Sequence, residues 1–198
     1  MPLFIPSRKI LFVHVYKTGG MSVRHALHQV FGYQIIELGL THNPILPHFP
    51  KTDFSFAITR NPYEWSVSQY KFIKYSNENH PSKEIVKNMS YQDFVPYLIE
   101  STKLHRQWLA GNFMTQSEMV KGVDYVMSLE NMNEDWKKVC DVIGMNIPLR
   151  KINESDYYSP PIDTTLDDET LARFNETFRE DFLLKNYPVI DSMESRLY

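Results

Sequence analysis

Lys9-Ile10-Leu11-Phe12-Val13-His14-Val15-Tyr16-Lys17-Thr18-Gly19-Gly20-Met21-Ser22 decides the fold class. Its first half is mostly apolar, β-branched and aromatic, the composition of a buried strand, and Lys17-Thr18-Gly19-Gly20 ends that run in a tight turn. From Met21 the period changes. Val23, Ala26, Leu27, Val30 and Phe31 recur at helical spacing, and Gly32 supplies the stop. Strand, glycine turn and helix in direct succession predict an α/β protein.

Working outward, Gln34 to Leu38 reads as a second strand, and Gly39 to Asp53, with Pro44, Pro47 and Pro50, as an irregular loop carrying His42 and His48. Phe54 to Thr59 is a third strand. Asn61-Pro62-Tyr63-Glu64 then combines a cap, a first-turn proline and a glutamate three positions after the cap, which predicts a helix from Pro62 to about Tyr75. Tyr91 to Ile99 and Leu104 to Leu109 suggest helices, and Tyr125 to Leu129 a further strand. Asn133 is expected to cap a helix ending at Gly144, and Thr165 one running from about Asp167 to Leu184, with Pro148 to Thr164 a long loop between them. With no internal repeat or linker, residues 1–198 are expected to form a single domain.

Composition narrows the function. With 21 Lys and Arg against 24 Asp and Glu the net charge is −3, so no global basic field draws the chain to nucleic acid or an anionic membrane, and any anion must be held by a local site. One cysteine, Cys140, allows no intramolecular disulfide, and no Cys/His cluster has zinc spacing, so no metal is expected. The apolar run Ile10 to Val15 is far shorter than the ~20 residues of a membrane span, and no signal peptide is visible. The chain is therefore expected to be soluble and cytoplasmic.

Two segments carry chemistry. In Tyr16 to Ser22, glycines let backbone N–H groups turn towards an anion, the helix N-terminus adds partial positive charge, and Lys17 adds a full one. The order of residues is not that of a Walker A loop, whose glycines precede the lysine. Read alone, the tetrapeptide is equally well a plain strand-to-helix turn. In Arg60 to Tyr70, Arg60 ends a strand, where open α/β sheets place their ligand crevice, and Ser68 follows eight residues later, so the two can face one phosphate. Taken separately, they are also compatible with a surface ion-pair arginine and a packed serine.

Together the segments are more specific. FVHVYKTGGMS resembles the F-[IV]-H-[IV]-x-K-T-[GA]-[GS]-[TS]-S signature of sulfotransferases that use 3′-phosphoadenosine 5′-phosphosulfate (PAPS), and FAITRNPYEWSVSQY looks like their second signature, R-[ND]-P-x-x-R-x-x-S-x-[YF]. The type is shared by carbohydrate sulfotransferases, heparan-modifying enzymes and small bacterial homologues. Weaker similarities continue at Gln107-Trp108-Leu109, Ser128 to Met132 and Lys151 to Ser155. The resemblance implies the sulfotransferase fold, a P-loop-like parallel sheet flanked by helices. It also implies that Lys17, Thr18, Gly19, Gly20, Met21 and Ser22 surround the 5′-phosphosulfate, and that Arg60 and Ser68 hold the 3′-phosphate of PAPS and of its product PAP. Tyr16, Met21 and Trp65 depart from the common pattern, and Met21 lacks a hydroxyl, which leaves those of Thr18 and Ser22.

Sulfuryl transfer to an alcohol needs in-line placement, a base for the acceptor proton, and a cation near the departing phosphate oxygen. Lys17 fits the last role. Histidine suits the base because its ordinary pKa lies near ~6.5. Related enzymes often carry a histidine base in this region, so His42 ranks first among the seven histidines, with His48 second and a glutamate as fallback. The expected acceptor is a carbohydrate or a small hydroxyl compound; Tyr63, Trp65, Trp108, Tyr157 and Tyr158 either stack on it or pack the core. Two other readings remain: a P-loop-like nucleotide kinase, which needs Mg²⁺ and a carboxylate to hold it, and a binding module that retains PAPS or PAP without turnover. Asn88, Asn153 and Asn175 head N-x-[ST] triplets, as in lumenal relatives, whereas a first motif so near Met1 suggests a cytosolic enzyme of bacterial type.

Overall fold

The computed structural model describes residues 2–38, 50–76, 79–103, 114–150, 152 and 159–192. In chain order its strands are β1 (Leu3–Ile5), β2 (Ile10–Val13), β3 (Ile36–Glu37), β4 (Phe54–Thr59) and β5 (Tyr125–Ser128). Its α-helices are α1 (Gly20–Phe31), α2 (Pro62–Tyr75), α3 (Lys83–Val86), α4 (Tyr91–Lys103), α5 (Gln116–Met119), α6 (Met132–Ile143), α7 (Asp168–Thr177) and α8 (Arg179–Leu183). The chain divides into two compact units, Met1–Arg60 with Gln116–Glu154 and Asn61–Thr115 with Ser155–Tyr198.

The first unit holds the whole sheet, in the order β3-β1-β2-β4-β5. β2, β4 and β5 are mutually parallel, in register from Ile10↔Phe54 to Val13↔Ala57 and from Phe56↔Tyr125 to Thr59↔Ser128. β1 is antiparallel to both β2 and β3, so it is the one strand that runs against the other four. Leu3–Ile5 is too short a run before Pro6 to signal a strand; a turn closed by Lys9 in the left-handed region, φ 50°, folds it back on β2. Of the segment Gln34 to Leu38, Ile36–Glu37 forms the strand, at the exposed edge, and Leu38 N donates to Pro2 O at 3.0 Å just past it. Parallel strands need covered faces. α1 contributes Val23, Ala26, Leu27 and Phe31, and α6 contributes Trp136, Val139, Cys140 and Ile143, to a core shared with Phe12, Phe56, Ile58 and Met127.

α6 begins earlier than expected, with Asn131 rather than Asn133 at its N-cap. The buried Asp135 carboxylate in its first turn reaches back to accept the Ser128 N–H at 2.8 Å and the Tyr125 hydroxyl at 2.7 Å, tying the helix to β5. Burial, and then that carboxylate, raise the Tyr125 pKa above its ordinary value.

The second unit is helical: α2, α3, α4, α7 and α8. α2 starts as the sequence predicts, the Asn61 side chain accepting from Tyr63 N at 3.0 Å ahead of Pro62. The helix expected from Asp167 to Leu184 is capped by Asp167, not Thr165, because the Asp167 carboxylate accepts from Thr170 N at 2.7 Å. It also breaks at Phe178. Phe174, Phe178 and Phe182, spaced four apart, share one face across the break and are all buried, with Trp65 against Phe178 at 5.8 Å and Tyr63 against Phe174 at 5.4 Å. Two of the aromatics considered for acceptor stacking, Tyr63 and Trp65, are thus core residues; Trp108, Tyr157 and Tyr158 lie outside the described residues. No helix among the described residues is long and apolar enough to cross a membrane.

Candidate functional site

The carboxyl ends of β2, β4 and β5 lie side by side in the first unit, and each is followed by a segment that the sequence singles out. After β2 the chain passes through Lys17 at φ 60° and Gly19 at φ 77° before α1 begins at Gly20. The left-handed conformation costs a non-glycine residue about 1–2 kcal/mol, and such strain concentrates at functional positions. The two glycines have different reasons. Gly19 takes the left-handed turn, whereas Gly20 is helical and lies over a ring: a Cβ there would come within 2.2 Å of His14 Cδ2. By helix geometry the N–H groups of Gly20 and Met21 have no acceptor within α1.

Both loop hydroxyls are engaged. Thr18, fully buried, donates from Oγ1 to Val15 O at 2.9 Å and so braces the turn. Ser22 Oγ donates to Ile152 O at 3.3 Å and accepts from Ile152 N at 3.0 Å, which fastens the start of α1 to a residue 130 positions later. Since a hydroxyl has one proton to donate, Thr18 and Ser22 both direct theirs to main-chain carbonyl oxygens in this arrangement. Gly19 also packs on the turn after β5, where its Cβ would meet Leu129 Cδ1 at 2.6 Å and Met132 Cε at 3.0 Å. Segments from around residues 17, 130 and 152 therefore converge at this edge.

Arg60 is the first residue past β4 and is half-buried. Its main chain is bracketed by Gln116, whose Oε1 accepts from Arg60 N and whose Nε2 donates to Arg60 O, both at 2.8 Å. Neither composition nor motif marks Gln116. Glu130, exposed two residues past β5, accepts from Ser128 Oγ at 2.6 Å.

The structure thus places Lys17, Thr18, Gly19, Gly20, Met21, Ser22 and Arg60 at the ends of adjacent parallel strands, with Met21 exposed. Ser68 is half-buried on α2, in the second unit. His42 and His48 lie outside the described residues, as does His105. Of the other histidines, His14 packs beneath Gly20, His25 is exposed on α1, and His28 meets Glu37 at 3.3 Å. His80 belongs to the second unit, where burial holds its pKa below the ordinary histidine value. Among the described residues no group of three His, Cys, Asp or Glu side chains is placed to hold a metal ion.

A family model described as "Sulfotransferase family" matches residues 3–188. No curated protein matches the chain.

Proposed function

The chain belongs to the sulfotransferase family, and we propose that it moves the sulfuryl group of PAPS to a hydroxyl acceptor, a carbohydrate or a small hydroxyl compound. The observation that carries this reading is the pairing of the Lys17 loop and Arg60 at the ends of neighbouring parallel strands β2 and β4. That donor set suits a nucleotide anionic at two places: an ammonium and a helix N-terminus at one strand end, a guanidinium at the next. Bound PAPS would supply an activated sulfuryl group whose phosphate is the leaving group.

The chain's residues then do the rest. Residues Lys17 to Ser22 hold the phosphosulfate, and Lys17 stabilises negative charge growing on the bridging phosphate oxygen. Thr18 and Ser22 keep the loop in shape through Val15 and Ile152. Arg60 and Ser68 read the 3′-phosphate, as the second signature implies. His42 accepts the acceptor's hydroxyl proton, and His48 or Glu130 is the next base to test. The family match takes in segments of both units, which supports treating residues 1–198 as one catalytic domain.

The test is incubation with labelled PAPS and a panel of sugars, lipids, phenols and amines, followed by mass detection. A sulfated hydroxyl compound supports the proposal. Nucleotide binding without any transfer supports the binding-module reading, and Mg²⁺-dependent phosphoryl transfer supports the kinase.

A further inference from the structure

Gln116 has none of its surface exposed, and its carboxamide takes both the N–H and the C=O of Arg60, 56 positions away, at 2.8 Å each. The sheet explains why that residue needs a partner. Peptide groups along a strand point alternately to either side. Thr59 O is used on the β5 side, where Leu129 N donates to it at 2.8 Å, so the groups of Arg60 face the β2 side. There the ladder has already stopped, since the last β2–β4 pair is Val13↔Ala57. A carboxamide has the donor and acceptor of a peptide group. Gln116, at the start of α5, supplies the rung that β2 no longer provides.

We infer that Gln116 is a positioning residue for 3′-phosphate selectivity: it fixes the Arg60 backbone, and with it the point from which the guanidinium is presented. The inference rests on the assignment of Arg60 to the 3′-phosphate above. Arg60 is the first residue past the sheet, and its long side chain loses rotamer freedom on meeting a ligand. Two hydrogen bonds to one residue hold its Cα–Cβ direction before the ligand arrives, which is preorganisation. An apolar side chain at 116 would remove both of these hydrogen bonds and the constraint they place on that direction.

Calorimetry of PAP and of adenosine 5′-phosphate with Gln116→Leu, Gln116→Glu and Arg60→Ala tests this. Gln116→Leu is expected to weaken PAP about tenfold, the scale of one lost hydrogen bond with its unpaired group, while adenosine 5′-phosphate binding stays unchanged. Gln116→Glu, which still accepts from Arg60 N, should fall between Gln116→Leu and the parent. A residue that only supported the fold would lower both affinities together and leave their ratio alone. If Arg60→Ala lowers the ratio and Gln116→Leu does not, the inference is wrong and the Arg60 assignment stands. If Arg60→Ala leaves the ratio unchanged, the assignment fails and takes the inference with it. Should Gln116→Leu not fold, Gln116→Glu decides, and a parental ratio in it overturns the inference.

Discussion

Gly20→Ala is expected to destabilise the protein by about 2 kcal/mol, although Gly20 lies in a helix, where alanine is ordinarily the better residue. The exchange alone gains about 1 kcal/mol at a helical position. Against it, the new methyl would meet His14 Cδ2 at 2.2 Å and Nε2 at 2.5 Å, well inside the ~3.5–4.0 Å of a favourable carbon contact. Retreat of the ring is opposed on one face by the ring of the fully buried Phe12, stacked on it with centroids 5.9 Å apart. Overpacking costs ~1–3 kcal/mol, and a contact this short belongs at the upper end, which leaves the net loss stated. In a chain of this size that is a fall in Tm of about 4–8 °C. The decisive comparison is a double-mutant cycle in thermal melts. In a His14→Ala background the ring is gone, and Gly20→Ala should then raise Tm through helix propensity alone, a coupling of about 3 kcal/mol. A Gly20→Ala protein that melts with the parent, or a loss that persists without the ring, would refute the argument.

Four further outcomes are expected. Arg60→Ala should lower the preference for PAP over adenosine 5′-phosphate by about 10- to 100-fold, the range for a charge-assisted hydrogen bond; equal affinities of the parent for the two nucleotides in calorimetry would remove the assignment. Sulfuryl transfer should persist in EDTA, because in the proposed mechanism Lys17 and main-chain N–H groups do what a cation does in phosphoryl transfer; loss on chelation with recovery in Mg²⁺ would favour the kinase. Tyr63→Phe removes the hydroxyl that donates to Asn175 Oδ1 at 2.6 Å and accepts from Ile190 N at 2.9 Å, so stability should fall by about 1–3 kcal/mol, and Ile190 amide exchange that stays as slow as in the parent would contradict this. His42→Ala should cut the transfer rate by about 10²- to 10⁴-fold with PAP affinity unchanged and with loss of the pH limb of a group that must be neutral; an active His42→Ala beside an inactive His48→Ala moves the role to His48.

The elements read correctly from the sequence are those whose signals are local. Phe54–Thr59 is mostly apolar or β-branched and is followed, after Arg60, by Asn61-Pro62, so the end of β4 and the start of α2 are marked within a few residues of themselves. β1 has no such mark. Its three residues are a strand because β2 and β3 pair with them, a tertiary cause that no local pattern carries. At α7 the local signal was ambiguous, with Thr165 and Asp167 two apart and both able to cap; Thr165 N instead donates to Asp163 Oδ1 at 2.9 Å, and Asp167 takes the cap. The packing of Phe178 on Trp65, more than a hundred residues earlier in the chain, is likewise a contact that no local pattern carries.

The same division runs through the site. Lys17, Gly19 and Arg60 are legible because charge and glycine state their chemistry wherever they stand. What sets their geometry is not legible, because it is supplied from far along the chain: Ile152 for Ser22, Leu129 for Gly19, Gln116 for Arg60. The hydroxyls show the difference most clearly. From sequence, Thr18 and Ser22 are the natural donors to a phosphosulfate, but each has a single proton, and the fold directs both to carbonyl oxygens. In the proposed site the phosphosulfate would then be met by main-chain N–H groups and the Lys17 ammonium rather than by these hydroxyls. The Arg60 main chain is likewise held by Gln116, a residue no motif includes, and on the proposal above that contact is what a nucleotide's 3′-phosphate would report.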